Sequence, residues 1–208
     1  MGKTINSTKF YHLLEWIMWL AYINLLWVLG AALGLLVLGI FPATVAMFTV
    51  TRDLLINDGT GKQILKTFIT TYKKEFIKSN IMGVIVTLIG FLLYVDFTFI
   101  QSFSGSVYYI FNTGLLFISI IYLLVLLYLI PVYVHYRLNF IQYFKHAVII
   151  GIVSPIMTII MLIGLVLLYL LVAAIPGLLP FITTSTMALI LMSGTLTVFR
   201  RMEKRKEI

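Results

Sequence analysis

Residues 147–199 read AVIIGIVSPIMTIIMLIGLVLLYLLVAAIPGLLPFITTSTMALILMSGTLTVF, without a single Asp, Glu, Lys, Arg or His. A membrane-spanning helix needs roughly 20 consecutive apolar residues. This stretch therefore holds two, divided at Pro176-Gly177-Leu178-Leu179-Pro180, where two prolines and a glycine break the helical pattern. Working outward, residues 97–134 and 16–51 are equally free of ionisable side chains. The whole chain is 62% hydrophobic and only 11% charged. Soluble domains run at roughly 45–50% apolar and about 25% charged. A water-soluble fold of this size has too little interior to hide so much apolar surface. The fold class that follows is all-α: a polytopic transmembrane helical bundle of five or six membrane segments plus one amphipathic surface helix.

The expected membrane segments are 16–33, 42–56, 81–103, 107–130, 146–174 and 181–199, within one transmembrane domain covering 1–208. Trp16 and Trp19 stand where an interfacial aromatic belt belongs. Gly34, Gly39 and Pro42 interrupt the first apolar run, and Pro42 suits the first turn of a new helix. Asn57-Asp58-Gly59-Thr60-Gly61 is a turn signal. Pro155 should kink the segment that contains it. Lys3 and Lys9 precede an apolar run far longer than the roughly 7–15 residues of a secretory signal core, so a retained first helix is expected.

Residues 62–78 differ from the rest. Ile64, Leu65, Phe68, Ile69, Tyr72 and Phe76 recur at the spacing of one helix face. Lys62, Lys66, Lys73, Lys74 and Lys78 fall mostly elsewhere on the wheel. This pattern predicts a basic amphipathic helix on the anionic inner leaflet, with those five lysines as the lipid contacts.

The net charge of +8 follows the positive-inside rule rather than nucleic-acid binding, because no soluble basic module is present. The charged connections around 52–78 and 137–145, with the tail 200–208, carry 13 of the 15 Lys and Arg residues. Placing them inside predicts a multi-pass protein of the bacterial cytoplasmic membrane with a cytoplasmic C-terminus. Lys3 and Lys9 distinguish two arrangements. If 42–56 lies at the interface, five segments cross and the N-terminus is outside. If it returns through the membrane, six cross and every cation is inside, which is the preferred arrangement. Pro42 to Arg52 spans only about 15 Å of helix, half the hydrocarbon thickness. Residues 35–41 are then expected to descend in irregular form, buried within the bundle.

Several residue patterns resemble a known family. Asn24-Leu25-Leu26-Trp27, Gly39-Ile40-Phe41-Pro42-Ala43-Thr44, Arg52 with its following glycine turn, and Phe68…Lys74-Glu75-Phe76 resemble the YesL-like bacterial membrane proteins, a family of unknown function. Pro131 and Lys145-His146-Ala147 also fit. Members are often encoded near carbohydrate-uptake and polysaccharide-degradation systems in Gram-positive bacteria. The resemblance thus implies sugar-transport components as partners, and it carries over no catalytic or binding residue.

The chain has no cysteine, which excludes disulfides, thiolate metal sites and cysteine nucleophiles. His12, His135 and His146 lie near segment ends without metal-ligand spacing. Catalytic chemistry in the membrane needs a nucleophile with its base, paired carboxylates or a metal, and none of these patterns occurs. No cofactor is implied. The candidate cavity or ligand residues are Asn24, Gly39, Pro42, Thr44 and Asp96. Asp96 is the one carboxylate inside a predicted span, and an ionisable group there is a functional candidate. Asn24 needs hydrogen-bond partners at depth, most simply on a neighbouring helix. At Gly39–Pro42 a broken helix would aim free N–H groups, with the Thr44 hydroxyl beside them, at an anionic or hydroxyl-rich group. The function expected is that of a non-enzymatic accessory or regulatory component of carbohydrate uptake. The alternative is a small transporter or permease subunit.

Overall fold

A computed structural model describes residues 2–57 and 61–204. The predicted turn at Asp58–Thr60 and the end of the basic tail lie outside the described residues, as does the Lys62 side chain. Seven helices follow in order: α1 (Gly2–Leu33), α2 (Ile40–Asn57), α3 (Gly61–Ile100), α4 (Ser106–His135), α5 (Phe140–Val153), α6 (Pro155–Ala174) and α7 (Leu179–Lys204). A short 3-10 turn, Pro176–Leu178, links the last two. Among the described residues, five stretches are long and apolar enough to cross a membrane: Leu14–Leu33, Gln63–Ile100, Ser106–His135, Pro155–Ala174 and Pro176–Lys204.

α2 is the helix around which the others assemble. Ala43, Val45, Ala46, Met47, Phe48 and Val50 are all at most 2% exposed, and α1, α3, α4 and α7 all pack against this helix. It forms an antiparallel hairpin with α1. The small residues explain how closely the two approach. A Cβ on Gly30 would sit 3.2 Å from that of Ala43, and one on Gly39 would lie 2.3 Å from the Ala31 carbonyl oxygen. Higher up, Trp27 Nε1 donates to Thr44 Oγ1 at 3.0 Å.

The connection between α1 and α2 differs from expectation. Residues 35–41 do not descend as an irregular buried strand. They make a compact turn in which Leu36 N–H donates to Ala31 O and Ile40 N–H donates to Leu36 O. Leu35 and Leu36 adopt left-handed backbone angles, φ 55° and 63°, costing roughly 1–2 kcal/mol each for a residue with a Cβ. Their side chains, with Val37 and Leu38, point outward and are half or more exposed. The glycines are the reason: Gly34 and Gly39 are in backbone contact, so few residues suffice to reverse the chain. α2 begins at Ile40 rather than Pro42. Pro42 falls in the first turn, where its missing N–H has no partner to lose.

The amphipathic stretch 62–78 and the span 81–103 are not separate elements. They form one continuous helix of 40 residues, about 60 Å long and twice the hydrocarbon thickness. The apolar face assigned to lipid is partly taken up by protein. Ile64 and Phe68 are buried, and Phe68 packs on Gly30. Tyr72 Oη donates to Gly30 O, and Asn80 Nδ2 donates to Leu38 O. What remains outside is an arc on which Leu65, Ile69 and Ile77 alternate with Lys66, Lys73, Lys74 and Lys78.

The expected segment 146–174 is two helices, α5 and α6, separated at Ser154 (φ −126°, ψ 58°). Pro155 lacks the N–H that would have bonded Gly151 O, and its ring clashes with that carbonyl. Thr158 Oγ1 takes over, donating toward Gly151 O and Ser154 O and meeting Tyr128 Oη at 2.8 Å. Pro131, by contrast, does not end α4, which continues to His135. The outer halves of α3 and α4 form their own small core of Leu93, Ile100 and Leu115, with Tyr108 and Tyr122 against it.

Candidate functional site

The predicted site residues do not converge. Asn24 is 1% exposed, and all its polar atoms face the start of α7. Its Nδ2 donates to Pro180 O at 2.5 Å, while its Oδ1 accepts from the Thr184 hydroxyl and from Ser185 N–H. Thr44 is equally engaged: its hydroxyl donates to Ile40 O and accepts from Trp27. Gly39 and Pro42 are buried at the α1–α2 reversal. Asp96 is exposed near the C-terminal end of α3.

One cleft lies beside α2. Phe41, Val45, Ser79, Met82, Gly83, Val86, Leu126, Leu129 and Ile130 enclose about 60 Å³. The Phe41 ring occupies the space a side chain at Gly83 would need. Ser79 supplies the polar atom of the lining, and it already donates to Phe76 O at 3.2 Å. The cleft is apolar and small, about the room of two or three methylenes.

Polar chemistry gathers instead where the ends of α2, α4 and α7 meet. Arg52 Nε donates to His135 Nδ1 at 3.2 Å. Arg52 also faces Asp53 at 3.5 Å, and His135 Nε2 lies 3.9 Å from Glu203. The His135 ring rests on Phe199, with centroids 4.4 Å apart, and meets Tyr136 edge-on. Burial, and then Glu203, raises the Tyr136 phenol. Beside this cluster Tyr133 Oη donates to Glu75 at 2.5 Å, and its ring packs on Tyr143 of α5. Among the described residues no three His, Asp or Glu side chains gather as metal ligands.

Sequence reasoning missed this network. In the sequence His135 stands out only as a histidine near a segment end, and Glu75 only as part of Lys74-Glu75-Phe76. One signal was available. Phe68, Tyr72, Glu75, Ser79 and Met82 recur at intervals of three and four, one helix face. A carboxylate on an otherwise apolar face requires a partner, and Tyr133 is that partner. The Arg52–His135–Glu203 contact carried no such signal, because it joins residues 83 apart in one step and 68 apart, from 135 to 203, in the next.

Comparison with known proteins places these features. The family model described as "Protein of unknown function, DUF624" matches residues 20–97. The uncharacterized protein YteU of Bacillus subtilis is 39% identical over 59% of this chain and 54% of its own length. The uncharacterized protein YesL of the same organism is 38% identical over 60% of the chain and 58% of its length. The matched region thus spans little more than half of either relative. The uncharacterized protein YesV is 31% identical over 97% of this chain and 96% of its own length. No solved structure matches. With the C-terminal part of α1, all of α2 and nearly all of α3 inside the family match, and a relative aligned almost end to end, this chain belongs to the YesL-like (DUF624) family of proteins of unknown function.

Proposed function

We propose that this protein is a non-enzymatic accessory or regulatory component of bacterial carbohydrate uptake, held in the cytoplasmic membrane with its C-terminus in the cytoplasm. The observation that carries the non-enzymatic part is how its polar groups are used. Asn24, Thr44, Arg52, Glu75 and His135 all tie one helix to another, and the cleft beside α2 is lined by apolar side chains. A sugar-binding path is lined with hydroxyl and amide partners left free for the substrate. Exposed cations on α3, with Arg200, Arg201 and Lys204 on α7, offer a basic face to anionic lipid or to a partner. The link to carbohydrate uptake rests on the family resemblance alone. The test is co-purification of the tagged full-length chain from native membranes after mild crosslinking. Enrichment of a sugar-transport ATPase or solute-binding protein, relative to an unrelated polytopic protein, is the expected result. A partner list equal to that of the unrelated protein overturns the assignment.

A permease-subunit reading draws on the break at Ser154, since broken helices recur in transporters. Here Tyr128 and Thr158 satisfy the break from within. Sugar uptake into proteoliposomes containing the chain alone, or with a co-purified ATPase, would favour this second reading.

A further inference from the structure

The contact between Arg52 and His135 determines the protonation state of the histidine. Every guanidinium nitrogen is a donor and has no acceptor capacity. Arg52 Nε lies 3.2 Å from His135 Nδ1, so Nδ1 must present its lone pair. The ring is then neutral, with its proton on Nε2, the nitrogen facing Glu203 at 3.9 Å. One imidazole thus joins three helices: α2 through Arg52, α4 through its own backbone, and α7 through Glu203.

We infer that His135 is a proton-operated tie that exchanges an α2–α4 contact for an α4–α7 contact. A proton arriving at Nδ1 puts N–H against N–H and two positive charges side by side. Arg52 must withdraw, and Asp53, already 3.5 Å away, holds it on its own helix. The imidazolium now has a full charge directed at Glu203, which is more than half exposed and free to close the gap. No bond is broken beyond the hydrogen bond, and the proton comes from solvent and returns to it.

Among the described residues, the groups facing His135 come from α2, α7 and the end of α4. α2 contributes Arg52 and Asp53, and α7 contributes Glu203 with the Phe199 ring. The end of α4 contributes Tyr136. The nearest α3 carboxylate, Glu75, is bound by Tyr133, whose ring α5 meets through Tyr143. His135 is 16% exposed at its side chain, so solvent protons reach it. Because α2 is the enclosed centre of the bundle and α7 carries the basic end, the exchange couples pH to the placement of that end. An unperturbed histidine changes charge between about pH 5 and 8, and burial with Arg52 beside it moves His135 toward the acid end of that range.

The experiment uses full-length protein in lipid nanodiscs. Since the chain has no cysteine, spin labels can be introduced at will. One pair is Ile56→Cys with Arg137→Cys, reporting α2 against the end of α4. The other is Arg137→Cys with Arg201→Cys, reporting α4 against α7. As pH falls from 8 to 4 the first distance should lengthen and the second shorten or narrow. His135→Gln should abolish both changes, and Glu203→Gln should abolish only the second. Distances that do not respond to pH, or that respond equally in His135→Gln, overturn the inference. Nitrogen NMR of labelled histidine in the unsubstituted protein supplies a check independent of any variant. At pH 8 the proton should sit on Nε2 of His135, and finding it on Nδ1 also overturns the inference.

Discussion

Asn24, in the C-terminal half of α1, grips the start of α7 through Thr184, 160 residues further along the chain. With Pro180 O and Ser185 N–H also bonded, a single buried amide ties α1 to the start of α7. Asn24→Ala leaves the Pro180 carbonyl and the Ser185 N–H without it, and should cost about 1–3 kcal/mol. Thr184→Val removes one partner and should cost less. Unfolding of both variants in mild detergent by graded SDS addition checks the order; equal midpoints for wild type and Asn24→Ala would contradict it.

Gly83 faces the Phe41 ring so closely that an added Cβ would stand 2.2 Å from it. Gly83→Ala should therefore destabilise by about 1–3 kcal/mol through overpacking, and Phe41→Leu in the same chain should recover part of the loss. Gly114→Ala is the control, since nothing lies within 4 Å of its Cβ position. In a helix interior that change should stabilise by up to about 1 kcal/mol. Thermal midpoints of the three variants distinguish the steric cost from the propensity gain.

The exposed arc of α3 carries Lys66, Lys73 and Lys74 beside Leu65 and Ile69. Each cation near an anionic surface contributes about 1 kcal/mol. Replacing all three by Gln in the full-length protein should lower the anionic-lipid fraction retained through purification, read by native mass spectrometry. An unchanged lipid profile would place this arc against protein or neutral lipid instead.

If α2 recrosses with α1, and α5 and α6 together make one traversal, both chain ends emerge on the same side. A single cysteine near residue 5 and another near residue 204 should then both resist an impermeant thiol reagent in intact cells. Ready labelling at residue 5 alone would support the five-segment arrangement.

The apolar run at 147–199, the lysines of α3 and the glycines at 34 and 39 made the helical class, the basic face and a break near Pro42 legible from composition and spacing. These are local properties: the helix period, the reach of a missing Cβ and the cost of placing charge in hydrocarbon act within a few residues. Which helix would be central was not local. α2 is the least apolar candidate, with Arg52 and Asp53 near its end, yet it is the most enclosed, because its alanines and the facing Gly30 let four other helices approach it. The polar network was likewise set by tertiary structure. Arg52, His135 and Glu203 each look like ordinary charges at helix ends, and only the convergence of α2, α4 and α7 makes one imidazole the partner of both an arginine and a glutamate.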